Sequence, residues 1–216
     1  MKPLPNTRWQ RGTYLVEFAI VFPILLTLLF GIVEIARIMY IYNTLQDATR
    51  RAAFGATVTD YRQEDAMHLI RQRAIFRETP GELVLGWPLT DEHIRIDYLA
   101  LIRNSENSLA MTPIATGSMP ASPARNRVTC TANPNDGSCI RFVRVRVCDP
   151  ADTASCQPVY YAPLFGLFPR TVRVPTSTTI VTAATLGYTS GQTPCPSAPN
   201  AKAILQRAGL APALER

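Results

Sequence analysis

The sequence predicts an α+β protein in which one long N-terminal helix, apolar over its first half, packs its second half on a small antiparallel sheet. Three observations carry this expectation. Residues 18–33 hold no charge, and residues 13–16 extend the apolar run to about the twenty residues that span a bilayer. Two later stretches, 93–103 and 140–148, alternate apolar and polar side chains with the period of half-buried strands. The cysteines Cys130, Cys139, Cys148, Cys156 and Cys195 all lie in the second half, as in a disulfide-braced head outside the reducing cytoplasm.

A chain of 216 residues has room for one membrane helix and one domain of ordinary size. Residues 1–12 read as a short cytoplasmic leader, 13–57 as the long helix with its spanning part at about 13–33, 58–186 as an exported head, and 187–216 as a flexible tail. The net charge is +6, but Lys2, Arg8 and Arg11 supply three of those charges before any acid occurs. The +3 that remains argues for a leader held inside by the positive-inside bias and against a nucleic-acid surface. No Ala-x-Ala-like pattern follows the apolar core at residues 31–37, so the helix is expected to be retained.

Within that helix Glu17 stands at or inside the hydrocarbon rim. A carboxylate costs roughly 2.5–3.5 kcal/mol at a helix centre and less near the interface, so it calls for a partner. Pro23 removes one backbone donor and should bend the helix, and Gly31 offers a face for close approach. Beyond the membrane, Ile35, Ile38, Met39, Tyr42, Leu45, Ala48, Ala52 and Ala53 recur at helical spacing. Glu34, Arg37, Asp47, Arg50 and Arg51 fall between them. As one helix, residues 13–56 would reach about 66 Å, roughly twice the hydrocarbon thickness, so the outer half needs a domain to pack on.

A second helix is expected from Asp60, with Gln63 at capping-box spacing, to about Arg77 before Pro80 and Gly81. Ala66, Met67, Leu69, Ile70 and Ala74 form its inner face, and His68 lies outward. In the first strand Ile94, Ile96, Tyr98, Ala100 and Ile102 face the core, with His93, Arg95, Asp97 and Arg103 opposite. Residues 104–127 read as a long surface loop. In the second strand Val143, Val145 and Val147 face inward and Arg144 and Arg146 outward, until Asp149 and Pro150 stop it. Tyr160, Tyr161, Leu164, Phe165, Leu167 and Phe168 are too apolar for open water and imply core packing, lipid or another subunit. A last strand region lies within residues 171–185, with Pro175 confining its start to an edge or bulge.

The cysteine spacings contain no Cys-x-x-Cys, and His68 and His93 lie far from them in sequence, so neither a metal site nor redox chemistry is expected. Local pairs are expected instead: Cys130 with Cys139 around Asn133-Pro134-Asn135-Asp136-Gly137, read as a hairpin turn, and Cys148 with Cys156. Cys195 is left over, free or linking two chains. There is no Gly-x-Ser-x-Gly, His-Glu-x-x-His or phosphate-binding glycine loop, which points away from an enzyme and gives no cofactor a site.

A short basic leader ending at Gly12, then Glu17 five residues on at the head of an apolar helix, resembles the signal of type IV pilins and pseudopilins. Through Val16-Glu17-Phe18-Ala19, Pro23, Leu25-Leu26, Gly31, Glu34, Asn43, Ala48, Arg50 and Ala52-Ala53, residues 11 to about 56 resemble the TadE-like pseudopilins of the tight-adherence (Flp, type IVc) pilus system. Where that family often reads Arg-Glu-Gly-Ala-Arg, this chain has Arg50-Arg51-Ala52-Ala53-Phe54. The resemblance implies a pilin-like fold and cleavage between Gly12 and Thr13 by a prepilin peptidase. It also implies a docking role for Thr13, Glu17 and Phe18, with Glu17 paired to the Thr13 α-ammonium of a neighbouring subunit. Its implied partners are other pilins and pseudopilins, the inner membrane and the pilus assembly platform, with the head periplasmic and a role in adhesion and biofilm formation. The implied task is initiation, priming or capping of the pilus, since the major Flp pilins are much smaller. The alternative is an uncleaved, signal-anchored envelope protein whose exported domain binds a cell-wall component or a secretion partner; an adhesin tip would share the anchor and differ in what the head binds.

Overall fold

The computed structural model describes residues 11–152, 155–166 and 172–190. The expected tail from 191 on, Cys195 included, and Leu167 and Phe168 lie outside the described residues, as does most of the leader.

Helix α1, Arg11–Val58, runs unbroken through Pro23. Its outer half is buried along a single stripe: Glu34, Arg37, Ile41, Thr44, Leu45, Ala48, Thr49, Ala52, Ala53, Ala56 and Thr57. The three- and four-residue spacing predicted such a stripe, but its placement corrects the expectation. Ile35, Met39 and Tyr42 are exposed, whereas Glu34 and Arg37, read as solvent-facing, are buried. Alanines dominate the deep part of the stripe, where sheet strands and a second helix both pack on α1.

That sheet has four strands: β1 (Ile94–Arg103), β2 (Leu109–Pro113), β3 (Phe142–Val147) and β4 (Thr178–Thr182). Their order is β2-β1-β3-β4, and every pairing is antiparallel. α1 packs across β3, β4 and β1. Ile94, Tyr98 and Ala100 of β1 and Val143, Val145 and Val147 of β3 are buried with Ile41, Leu45 and the alanines in one core. The buried Thr49 hydroxyl meets Thr179 Oγ1 at 2.9 Å and Ser177 Oγ at 3.2 Å, so its polar atom is satisfied on β4 and the segment before it. At the top of α1 the Leu186 amide donates to the Thr57 carbonyl at 2.8 Å, satisfying one of the carbonyls a helix end leaves free.

α2 (Glu64–Ala74) is shorter than expected at both ends. Asp60 makes a turn instead of a cap: its carboxylate accepts from the Arg62 amide and its carbonyl from that of Gln63. The helix stops before Arg77 because Phe76 adopts φ 64°. The Phe76 amide donates to Arg73 O and the Arg77 amide to Gln72 O, the hydrogen-bond pattern of a Schellman end without its usual glycine. α2 lies close on α1 at Gly55, where a Cβ would stand 3.2 Å from Ile70 Cγ2.

The largest correction falls on residues 104–127. The Asn104 amide donates to Ser108 O and Asn107 takes φ 63°, closing a tight turn from β1 into β2. α3 (Pro123–Ala132) follows, its Ser122 cap accepting from the Arg125 amide at 3.1 Å with Pro123 in the first turn. The turn at 133–137 therefore joins α3 to β3 and is not a hairpin. Cys130–Cys139 and Cys148–Cys156 form disulfides, one between α3 and the approach to β3, the other between the end of β3 and the segment after it.

Candidate functional site

From Tyr14 to Leu25 the inner half of α1 leaves its side chains exposed, and Phe30, near its end, stacks on Phe165 of the head. Residues 14–30 are exposed apart from Thr27's neighbour Leu26, which is half-buried, and Leu15 keeps 71% of its surface accessible. The helix is long and apolar enough to cross a membrane. Gly12 and Thr13 lie in its first turn, and Glu17 is exposed one turn on, with no ion pair among the described residues. Phe18 stacks on Phe22 at 5.1 Å between ring centroids. Thr27 Oγ1 donates back to the Pro23 carbonyl at 2.8 Å, so the turn after the proline is braced from within. At Gly31 a Cβ would meet nothing within 4 Å, so its open face is free for a neighbour.

Where the apolar run ends, the structure assembles a site that sequence reading missed. Glu34 and Arg37, one turn apart, are both buried, with Arg37 Nη1 3.7 Å from Glu34 Oε1. The Tyr161 hydroxyl donates to Glu34 Oε1 and accepts from Arg37 Nη1 at 3.0 Å. The Leu164 amide adds a second donor to Glu34 Oε1 at 3.2 Å. Arg37 spends its other donors on backbone: Nε to Leu85 O at 2.8 Å, Nη2 to Trp87 O at 2.7 Å and Nη1 to Ala162 O at 2.7 Å. Burial first, and then the bond to Glu34, push the Tyr161 hydroxyl up to about 12, so it remains a donor at any physiological pH. One helix turn thus grips two head segments distant in sequence. Burying a charge is tolerated only with such pairing.

On the sheet face away from α1, Asp97 stands among three arginines. Arg144 and Arg146 donate to Oδ2 at 3.0 and 2.7 Å, and Arg95 to Oδ1 at 3.3 Å. Burial works to raise the Asp97 carboxyl, but the bonds from Arg146 and Arg144 outweigh it and hold it below its ordinary range. The two arginines expected to point at solvent are therefore cross-strand partners of β1.

A family model, that of TadE-like protein, matches residues 12–53. Over these residues the N-terminal helix is similar to TadE-like proteins. The TadE-like segment opens at Gly12, contains Glu17, Pro23, Gly31, Glu34 and Arg37, and ends at Ala53, one turn short of the end of α1. No curated protein and no solved structure matches the chain. The TadE-like segment thus comprises both the exposed apolar helix and the turn that grips the head.

Proposed function

We propose that this protein is a minor pseudopilin of a tight-adherence pilus, cut after Gly12 by a prepilin peptidase and acting in initiation, priming or capping of the filament. One observation carries the reading: the TadE-like helix leaves most of its apolar half, with Glu17 on it, exposed beyond its own head. An apolar helix of that length is stable only in lipid or against other helices.

Cleavage would leave Thr13 with an α-ammonium and Glu17 four residues beyond it. Glu17 would pair with the ammonium of a neighbouring subunit in the inner membrane. That pairing lowers the cost of the buried carboxylate and fixes axial register, because a misplaced helix leaves both ions unpaired. Phe18 and Gly31 would meet other pilins and pseudopilins on the assembly platform. The head would face the periplasm as a binding surface and not as an enzyme.

Glu17→Ala and Glu17→Gln test this in cells. Both should abolish piliation while membrane fractionation still finds the protein inserted. Normal piliation in the Ala variant would sink the role given to Glu17.

A further inference from the structure

We infer that the head carries a lipid-facing collar, formed by residues 84–87 and 163–166, that rests in the membrane interface around the exit of α1. The inference builds on the reading of α1 as a membrane-spanning helix.

Height is the first argument. Residues 14–33 rise about 30 Å as a helix, the thickness of the hydrocarbon, which puts Glu34 at the boundary. Both collar segments are fixed at that level. Arg37 holds the carbonyls of Leu85 and Trp87, and Glu34 holds the Leu164 amide. Phe165 goes lower still, its ring 4.5 Å from that of Phe30, a full turn inside the apolar run. The head therefore reaches the depth at which α1 is still apolar.

Composition is the second. Leu85, Val84, Leu164 and Trp87 keep 69, 59, 58 and 52% of their surfaces exposed. Four large apolar side chains left open at one level are costly in water, and tryptophan favours the interface. Backbone is the third argument. Loops approaching lipid must satisfy their carbonyls internally. The Leu85, Trp87 and Ala162 carbonyls all turn inward onto one guanidinium. The occupant is lipid, because the patch is continuous with the apolar surface of α1 itself.

Trp9 and Trp87 are the two tryptophans of the chain, so Trp9→Phe makes Trp87 the sole reporter. The full-length variant is reconstituted in phosphatidylcholine–phosphatidylglycerol vesicles carrying brominated acyl chains. Trp87 emission should be blue-shifted and should lose more intensity to bromines near the headgroup than to bromines near the chain ends. A companion chain with Trp9→Phe, Trp87→Phe and Phe22→Trp reports the helix, and should be quenched most by the deep bromines. Water-like Trp87 emission, unquenched in vesicles where the Phe22→Trp reporter is quenched, would overturn the collar and leave the span standing. Blue-shifted but unquenched Trp87 would place protein over the patch and overturn the lipid assignment. An unquenched Phe22→Trp reporter would overturn the span and the collar together.

Discussion

Arg37 ties Glu34 and the Tyr161 hydroxyl to the carbonyls of Leu85, Trp87 and Ala162. Removing it would leave Glu34 buried with its principal counter-charge gone, and breaking a buried pair in that way costs about 3–5 kcal/mol. Arg37→Ala should lower the unfolding free energy of the detergent-solubilised chain by that amount in urea titrations; a loss below about 1 kcal/mol, the range of surface pairs, would contradict the grip described. Asp97 gives a pH signature. Its carboxyl titrates lower in the folded than in the unfolded chain, so its contribution is complete above the ordinary carboxylate range and is lost as pH falls through the depressed folded value. The head should therefore lose stability as pH falls through the acid range, and Asp97→Asn should flatten that slope in acid titrations followed by circular dichroism. Neither cluster was legible in the sequence. Glu34 and Arg37 are charged residues on a helix, and periodicity assigns such residues to water. Their partner Tyr161 is 127 residues away from Glu34 in the chain. Arg144 and Arg146 alternate correctly, but alternation identifies a face and not what stands beside it.

Among the elements, α1 was the most legible, because its apolar run and its outer periodicity both extend over many turns. The buried stripe was placed partly wrong because both faces of the outer half carry large apolar residues, and Ile35, Met39 and Tyr42 belong to the one that the head leaves open. The alanines decide the true face. Ala48, Ala52, Ala53 and Ala56 are fully buried in the core that α1 shares with the sheet and α2, where a larger side chain would force its neighbours apart. Ala52→Leu should cost about 1–3 kcal/mol by overpacking, read as a lowered melting temperature, whereas exposed Met39→Leu should leave it unchanged. β1 and β3 were legible from alternation. β2 was not, since its burial pattern is open on both faces and its pairing depends on the turn at 104–108. α3 had its signal in Ser122 and Pro123, a cap followed by a first-turn proline, but little amphipathic character to support it. The two disulfides close loops of nine and eight residues' separation and each constrain the unfolded chain by about 2–3 kcal/mol in the chain-entropy picture.

The whole molecule divides along α1 into an apolar half that offers itself to its surroundings and an outer half that is one wall of the head. Glu34 and Arg37 stand at the junction, where one helix turn is held to two head segments by buried charge. The TadE-like match stops within the helix, and accordingly the long apolar helix was readable in advance, while the buried-charge junction with the head and the partner of the head were not. The central claim turns on what happens at the Gly12–Thr13 bond. Intact mass and N-terminal sequence, taken on the protein from its own membranes with and without the prepilin peptidase, test it most directly. A mature chain that begins at Thr13 only when the peptidase is present is the expected result; a chain that still begins at Met1 in both would contradict the pseudopilin reading and favour a plain membrane anchor.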